Sequence, residues 1–249
     1  MVMLYSLIPL ERACQLIVSQ VVTHNPAGLL YGNAPLNYAF FDAGLLEPDL
    51  VLQPTTPLFE YPRPNMPDTL HFIGPILPVF PLAYDEPDWW DDLPTDRPVV
   101  LVTQGTLAAD PRQLIVPAIQ ALADQAVLVV VTTANRPVAE LGHLPPNVRA
   151  APFIPYDRLL PHIDLLVTNG GYGAVQLALA YGVPLVAAGK TEEKAEICAR
   201  IAWAGVGINL RTDTPIKNEQ LAINKGHRGY IYACPGSTFI VTQRATEKA

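Results

Sequence analysis

Charge and cysteine are both scarce in this chain. Only 16% of its 249 residues are charged, 16 basic against 23 acidic, for a net charge of −7. Without a cluster of Lys or Arg there is no surface built for nucleic acid or for an anionic membrane. The three cysteines, Cys14, Cys198 and Cys234, are odd in number, far apart and without metal-ligand spacing. That excludes a disulfide framework and a zinc site, and it fits a reducing compartment. No segment approaches the roughly 20 apolar residues of a membrane span. The apolar start, residues 1–10, has no basic flank and is interrupted at Pro9 and Glu11, so it does not read as a signal sequence. These absences point to a cytoplasmic protein with no metal, no nucleic-acid partner and no membrane span.

Apolar residues, at 50%, are plentiful enough for a sizeable core. The 26 prolines are concentrated in residues 52–87, where no long helix can form, and this stretch reads as a linker with short extended pieces. Downstream, "VVLVT" and "AVLVVVTT" are short β-branched runs of the kind buried on both faces of a parallel sheet. A helix between them has a readable start: Asp110 as cap, Pro111 in the first turn and Gln113 three residues after the cap. "DLLVT" then leads to a helix over about 172–181. "PLVAA" leads to one over about 193–204, stopped by Gly205, and "VGINL" is the next strand. Such alternation predicts an α/β fold, a doubly wound parallel sheet of Rossmann-like form.

The ends fit this pattern less well. Residues 1–51 hold one plausible helix, near 11–22, and are otherwise poorly patterned; residues 215–249 also lose the alternation. The expected organisation is therefore an N-terminal remnant at 1–51, a Pro-rich linker at 52–95, a ligand-binding α/β domain at 96–214 and an atypical tail at 215–249.

Two glycine turns stand out. In "VTNGGYGAVQLALA" a strand turns through Gly170 and Gly171 directly into a helix, whose first N–H groups lack internal partners and sit at the positive end of the dipole. Phosphate suits such a site, and glycine lets it approach the backbone. A glycine pair here also serves merely to pack a helix closely on a sheet, and the sequence alone leaves both readings open. "VTQGT" ends its strand in the same way at Gly105 and Thr106, and two such turns at the carboxyl edge of one sheet can clasp a diphosphate. Neither turn is a G-x-G-x-x-G fingerprint or a P-loop.

In order and spacing, "HFIGPILP", "VTQGT" and "FIPYDRLLPHIDLLVTNGGYGAVQLALAYGVPLV" resemble the C-terminal, donor-binding domain of the UDP-glycosyltransferases, enzymes of GT-B fold, over about residues 52–212. The resemblance implies a transferase that moves a hexose from a UDP-sugar to a small lipophilic acceptor, with the nucleotide sugar as donor substrate and no cofactor. It implies that Phe153 stacks on uracil and that Gly105 and Thr106 touch the diphosphate. Asn169, Gly170, Gly171 and Gly173 match the family's His-Gly-Gly turn, and Glu193 and Lys194 match its Asp-Gln pair on the sugar hydroxyls.

The departures from the family are specific. Asn169 replaces His and can still donate an amide hydrogen to a phosphate oxygen. Ala174 replaces a hydroxyl residue. Leu177 stands where a ribose-binding Glu is usual, with Gln176 as the neighbouring substitute. The family also draws its acceptor-activating His from a preceding N-terminal domain, of which no counterpart is visible here. His24 lies near the linker without a glycine turn before it and reads as a loop residue, so no catalytic residue is assigned. The expectation is a truncated or mis-spliced reading frame that carries the donor half and transfers no sugar by itself. Two alternatives stand beside it: a non-catalytic nucleotide-sugar-binding remnant, and a GT-B nucleotide-sugar epimerase, which needs catalytic carboxylates and histidines across two full domains, a constellation the sequence does not show.

Overall fold

The structure, a computed structural model, describes residues 45, 48–77, 84–94, 96–105, 108, 110–191 and 193–211, and the backbone of the strands within 223–242. The helix expected near 11–22, His24 and Thr106 lie outside the described residues. The chain divides into two compact units, residues 1–76 and 77–249.

In the first unit, β1 (Val51–Gln53) and β2 (Leu70–Phe72) pair in parallel with Leu52 opposite His71. The prolines between them confine the connection to loops and one 3-10 turn, Pro57–Phe59, which buries Phe59.

The second unit is built on six parallel strands: β3 (Val99–Thr103), β4 (Leu128–Thr132), β5 (Val148–Ala151), β6 (Leu165–Thr168), β7 (Leu185–Ala187) and β8 (Gly207–Asn209), in the order β5-β4-β3-β6-β7-β8. The two β-branched runs form β3 and β4, and every residue of β3, β4 and β6 is buried. The strand order reverses between β3 and β6, which pair directly, Thr103 opposite Thr168. Ligands of doubly wound sheets bind outside the carboxyl ends at such a reversal. β5 escaped the sequence reading because its polar Arg149 breaks the apolar run.

Helices α1 (Ile115–Leu122), α2 (Tyr156–Leu159), α3 (Tyr172–Ala180) and α4 (Lys194–Trp203) fill the crossovers. α3 and α4 fall within a residue of their expected bounds, and Gly205 at φ +68° follows the end of α4. α1 differs at its start. Asp110 does accept from the Arg112 N–H, at 3.0 Å, but what it caps is a 3-10 turn, Pro111–Gln113; the α-helix proper begins two residues later. On one face of the sheet, Leu114, Ile115, Ala118, Ile119 and Leu122 pack against Val100, Val102, Val129 and Val131. The tail folds into an antiparallel three-stranded sheet of β9 (Ile223–Gly226), β10 (Gly229–Cys234) and β11 (Ser237–Thr242).

Candidate functional site

The Gly105 turn follows β3 and the Asn169–Gly171 turn follows β6, so their pairing sets the two turns side by side on one sheet edge. Gly105 adopts φ +73°, a conformation that glycine takes at no steric cost. Its Cα faces the Asn169 side chain, with Oδ1 3.6 Å from where a Cβ would lie.

A residue that the sequence reading passed over joins these turns. Gln104 is 3% exposed and bonds at both ends of its side chain. Its Nε2 donates to the Asp110 carbonyl at 2.6 Å, while Oε1 accepts from the N–H groups of Leu114 and Ile115 at 3.1 and 3.4 Å, capping α1 from the β3 turn. The Gln104 carbonyl in turn accepts from the Asn169 amide. The amide assigned from sequence to a phosphate oxygen therefore donates inward and ties one turn to the other. Its Oδ1, also buried, has no hydrogen-bond partner.

The glycines divide by task. A Cβ on Gly170 would meet Cys198 Sγ at 2.6 Å and the Lys194 carbonyl at 3.3 Å, and its N–H donates to Thr168 Oγ1 at 3.2 Å. Gly170 thus lets α4 close on the turn, which is the packing reading of the glycine pair. Gly173 is exposed instead, and Gly171 is half-buried, with Asn169 Oδ1 3.8 Å from where a Cβ would lie. Gly171 precedes α3 with no side-chain cap, and a Cβ on Gly173 would meet nothing within 4 Å, so the positive end of α3 opens there. One turn further along α3, Leu177 is 9% exposed, and Gln176 beside it is buried, with Nε2 unpaired.

The β7 edge contributes the third wall. Lys194 is buried, and its Cβ stands 3.7 Å from the Cβ position of Gly170. Glu193, the residue before α4, is exposed. Cys198 in α4 is a free, buried thiol that donates to the Asn169 carbonyl at 3.8 Å, and burial pushes its pKa up to about 12.

Phe153 leaves the end of β5 and is 41% exposed. β5 lies two strands from β3, so an aromatic face about 10 Å along the same edge flanks the glycine turns. The hydroxyl of half-buried Tyr156 shares a hydrogen bond of 3.2 Å with Thr132 Oγ1 at the end of β4. Burial raises the Tyr156 pKa, against the lowering effect of Thr103 and Thr132. The structure thus gathers Gly105, Asn169, Gly170, Gly171, Gly173, Glu193 and Lys194 around one sheet reversal, with Phe153 at its flank. Among the described residues no helix is long and apolar enough to cross a membrane, and no His, Cys, Asp and Glu side chains cluster as metal ligands.

Comparison with known proteins agrees with this architecture. The family model described as erythromycin biosynthesis protein CIII-like, C-terminal domain, matches residues 117–225. Over 171 residues the chain is 52% identical to the 4'-demethylrebeccamycin synthase of Lentzea aerocolonigenes, covering 69% of this chain and 40% of that protein. It is 42% identical over 167 residues to the UDP-glucosyltransferase avaP of Aspergillus versicolor, covering 65% of this chain and 37% of that one. The chain thus spans about two fifths of the length of these relatives. Among solved structures, the calicheamicin glycosyltransferase CalG4 is 26% identical and superposes with a TM-score of 0.61, over 82% of this chain and 51% of its own.

Proposed function

We propose, for a chain whose relatives are UDP-glycosyltransferases matched over their C-terminal part and whose fold is that of GT-B enzymes, that it binds a UDP-sugar as the donor half of a glycosyltransferase acting on a small-molecule acceptor in the cytoplasm. The observation that carries this reading is the register of β3 on β6, which sets two glycine turns side by side at the point where the strand order reverses. The diphosphate lies between the Gly105–Thr106 turn and the open end of α3 at Gly171 and Gly173. Uracil stacks on Phe153, and the sugar reaches toward Glu193 and Lys194. Asn169 and Gly170 shape this cradle from behind. No cofactor or metal takes part.

Donor contacts alone do not complete a displacement, which also needs an acceptor oxygen held in line and a base for its proton. In the second unit, among the described residues, His143 precedes β5 and His162 precedes β6, at the opposite edge of the sheet from the glycine turns; His71 lies in β2 of the first unit. On this reading the chain by itself binds donor without transferring sugar, loss of a general base alone costing roughly 10²–10⁴-fold.

Calorimetric titration tests the binding reading. UDP should bind more tightly than ADP, and Phe153→Ala should weaken UDP by roughly 1–3 kcal/mol, the worth of stacking one base. Equal affinity for UDP and ADP would sink the uracil assignment. Glycoside formed from UDP-glucose and a panel of phenolic, sterol and macrolide acceptors, detected by mass spectrometry, would show that this chain supplies its own base.

A further inference from the structure

Residues 84–92 run along the edge strand β5 and the loop that leaves it, fixed by contacts far apart in sequence. The Trp89 indole donates to the Ala150 carbonyl at 3.3 Å, Arg149 pairs with Asp92 at 2.9 Å, Arg158 meets Glu86 at 3.3 Å, and Trp90 stands edge-on to His162 with centroids 5.9 Å apart. These contacts cover the outer edge of the sheet, as an edge strand requires. At the head of the segment Tyr84 does something different. Its hydroxyl donates to the Phe153 carbonyl at 2.9 Å, and its ring meets the Phe153 ring edge to face, 6.4 Å between centroids at 78°. Backbone and ring of the same exposed residue are thus held by one side chain.

We propose that Tyr84 is a positioning residue for nucleotide recognition: it fixes the Phe153 ring as a pre-ordered platform for a planar base and so ties the segment ahead of the sheet to nucleotide affinity. The proposal rests on the reading of Phe153 as that platform. An exposed aromatic on a loop otherwise loses rotamer freedom when a ligand stacks on it, and a partner that orders it beforehand removes that cost. The edge-to-face geometry also leaves a ring face unstacked by Tyr84.

The test uses the whole chain with Tyr84→Ala and Tyr84→Phe, titrated calorimetrically with UDP, UMP and inorganic pyrophosphate. Tyr84→Ala should weaken UDP and UMP by about two- to tenfold, the ordering cost of one side chain, and leave pyrophosphate unchanged. Tyr84→Phe keeps the ring and should recover part of the loss. Equal weakening of all three ligands, or unchanged UDP affinity in a chain where Phe153→Ala does weaken UDP, would overturn the role of Tyr84 while leaving the platform intact. Unchanged UDP affinity in Phe153→Ala would remove the platform itself and the proposal with it. Fluorine NMR of chain labelled with fluorophenylalanine gives a readout without ligand: the Phe153 signal, identified by its absence in Phe153→Leu, should shift or broaden in Tyr84→Ala. An unchanged signal would count against the positioning role.

Discussion

Replacing Gly170 by alanine separates the two uses of a glycine at a strand-to-helix turn, close packing and ligand approach. The new Cβ would lie 2.6 Å from Cys198 Sγ and 3.3 Å from the Lys194 carbonyl, and the backbone at φ +88° is one that side chains rarely adopt. The backbone conformation costs about 1–2 kcal/mol for a residue with a Cβ. Crowding a packed interior adds about 1–3 kcal/mol. Together they predict a loss of about 2–5 kcal/mol, a large part of the ~5–15 kcal/mol that holds a domain folded. At ~2–4 °C per kcal/mol for a chain of this size, the melting midpoint should fall by about 4–20 °C. Cys198→Ala by itself removes one buried atom and should cost about 1 kcal/mol. In the double variant the sulfur is gone while the φ strain and the Lys194 carbonyl remain. Its loss should then be smaller than the sum of the single losses by about 0.5–3 kcal/mol. Denaturant unfolding of the four proteins gives this coupling directly. A Gly170→Ala chain with an unchanged midpoint but weakened UDP binding would show that the glycine serves ligand approach. Strictly additive losses would show that the sulfur is not what the new methyl meets.

Leu177→Glu should keep cooperative melting, because α-helical side chains lean toward the N-terminus and the space over Gly173 is open, so the carboxylate emerges at the positive end of α3. UDP affinity should rise by about 1 kcal/mol, roughly fivefold, relative to that of pyrophosphate, through a new acceptor for ribose, because repulsion between the carboxylate and the diphosphate is common to both ligands; loss of cooperative melting would mean that Leu177 is a core residue and nothing more. Cys198 gives a pH signature. Burial raises its thiol from 9.0 to about 12, so the fold keeps the neutral form while the unfolded chain ionises. This contribution to stability is whole below about pH 9 and is lost as pH rises toward 12, by up to ~1.4 kcal/mol per pH unit. The wild-type stability curve should therefore fall more steeply than that of Cys198→Ala over this range, and parallel curves would refute the assignment.

The sequence by itself determined the α/β alternation, the parallel sheet and the positions of both glycine turns. The information for each lies within a few neighbouring residues: β-branched runs at 99–103 and 128–132 suit strands buried on both faces, and helix-forming segments follow them. The ordered motifs at 71–78, 102–106 and 153–186 also carried the family resemblance. Only the tertiary structure decided what each residue does there. Gln104 caps α1 from the end of β3, and Asn169 donates to its carbonyl across 65 residues of chain. Gly170 answers to a sulfur in α4, and Tyr84 holds Phe153 across 69 residues. Periodicity and spacing report which face of an element an atom is on; they do not report which distant atom meets it. Two adjacent glycines that read alike in sequence therefore part in the fold, Gly170 enclosed by a helix and Gly171 clear of it, because a parallel sheet brings together at one edge turns that the chain keeps far apart.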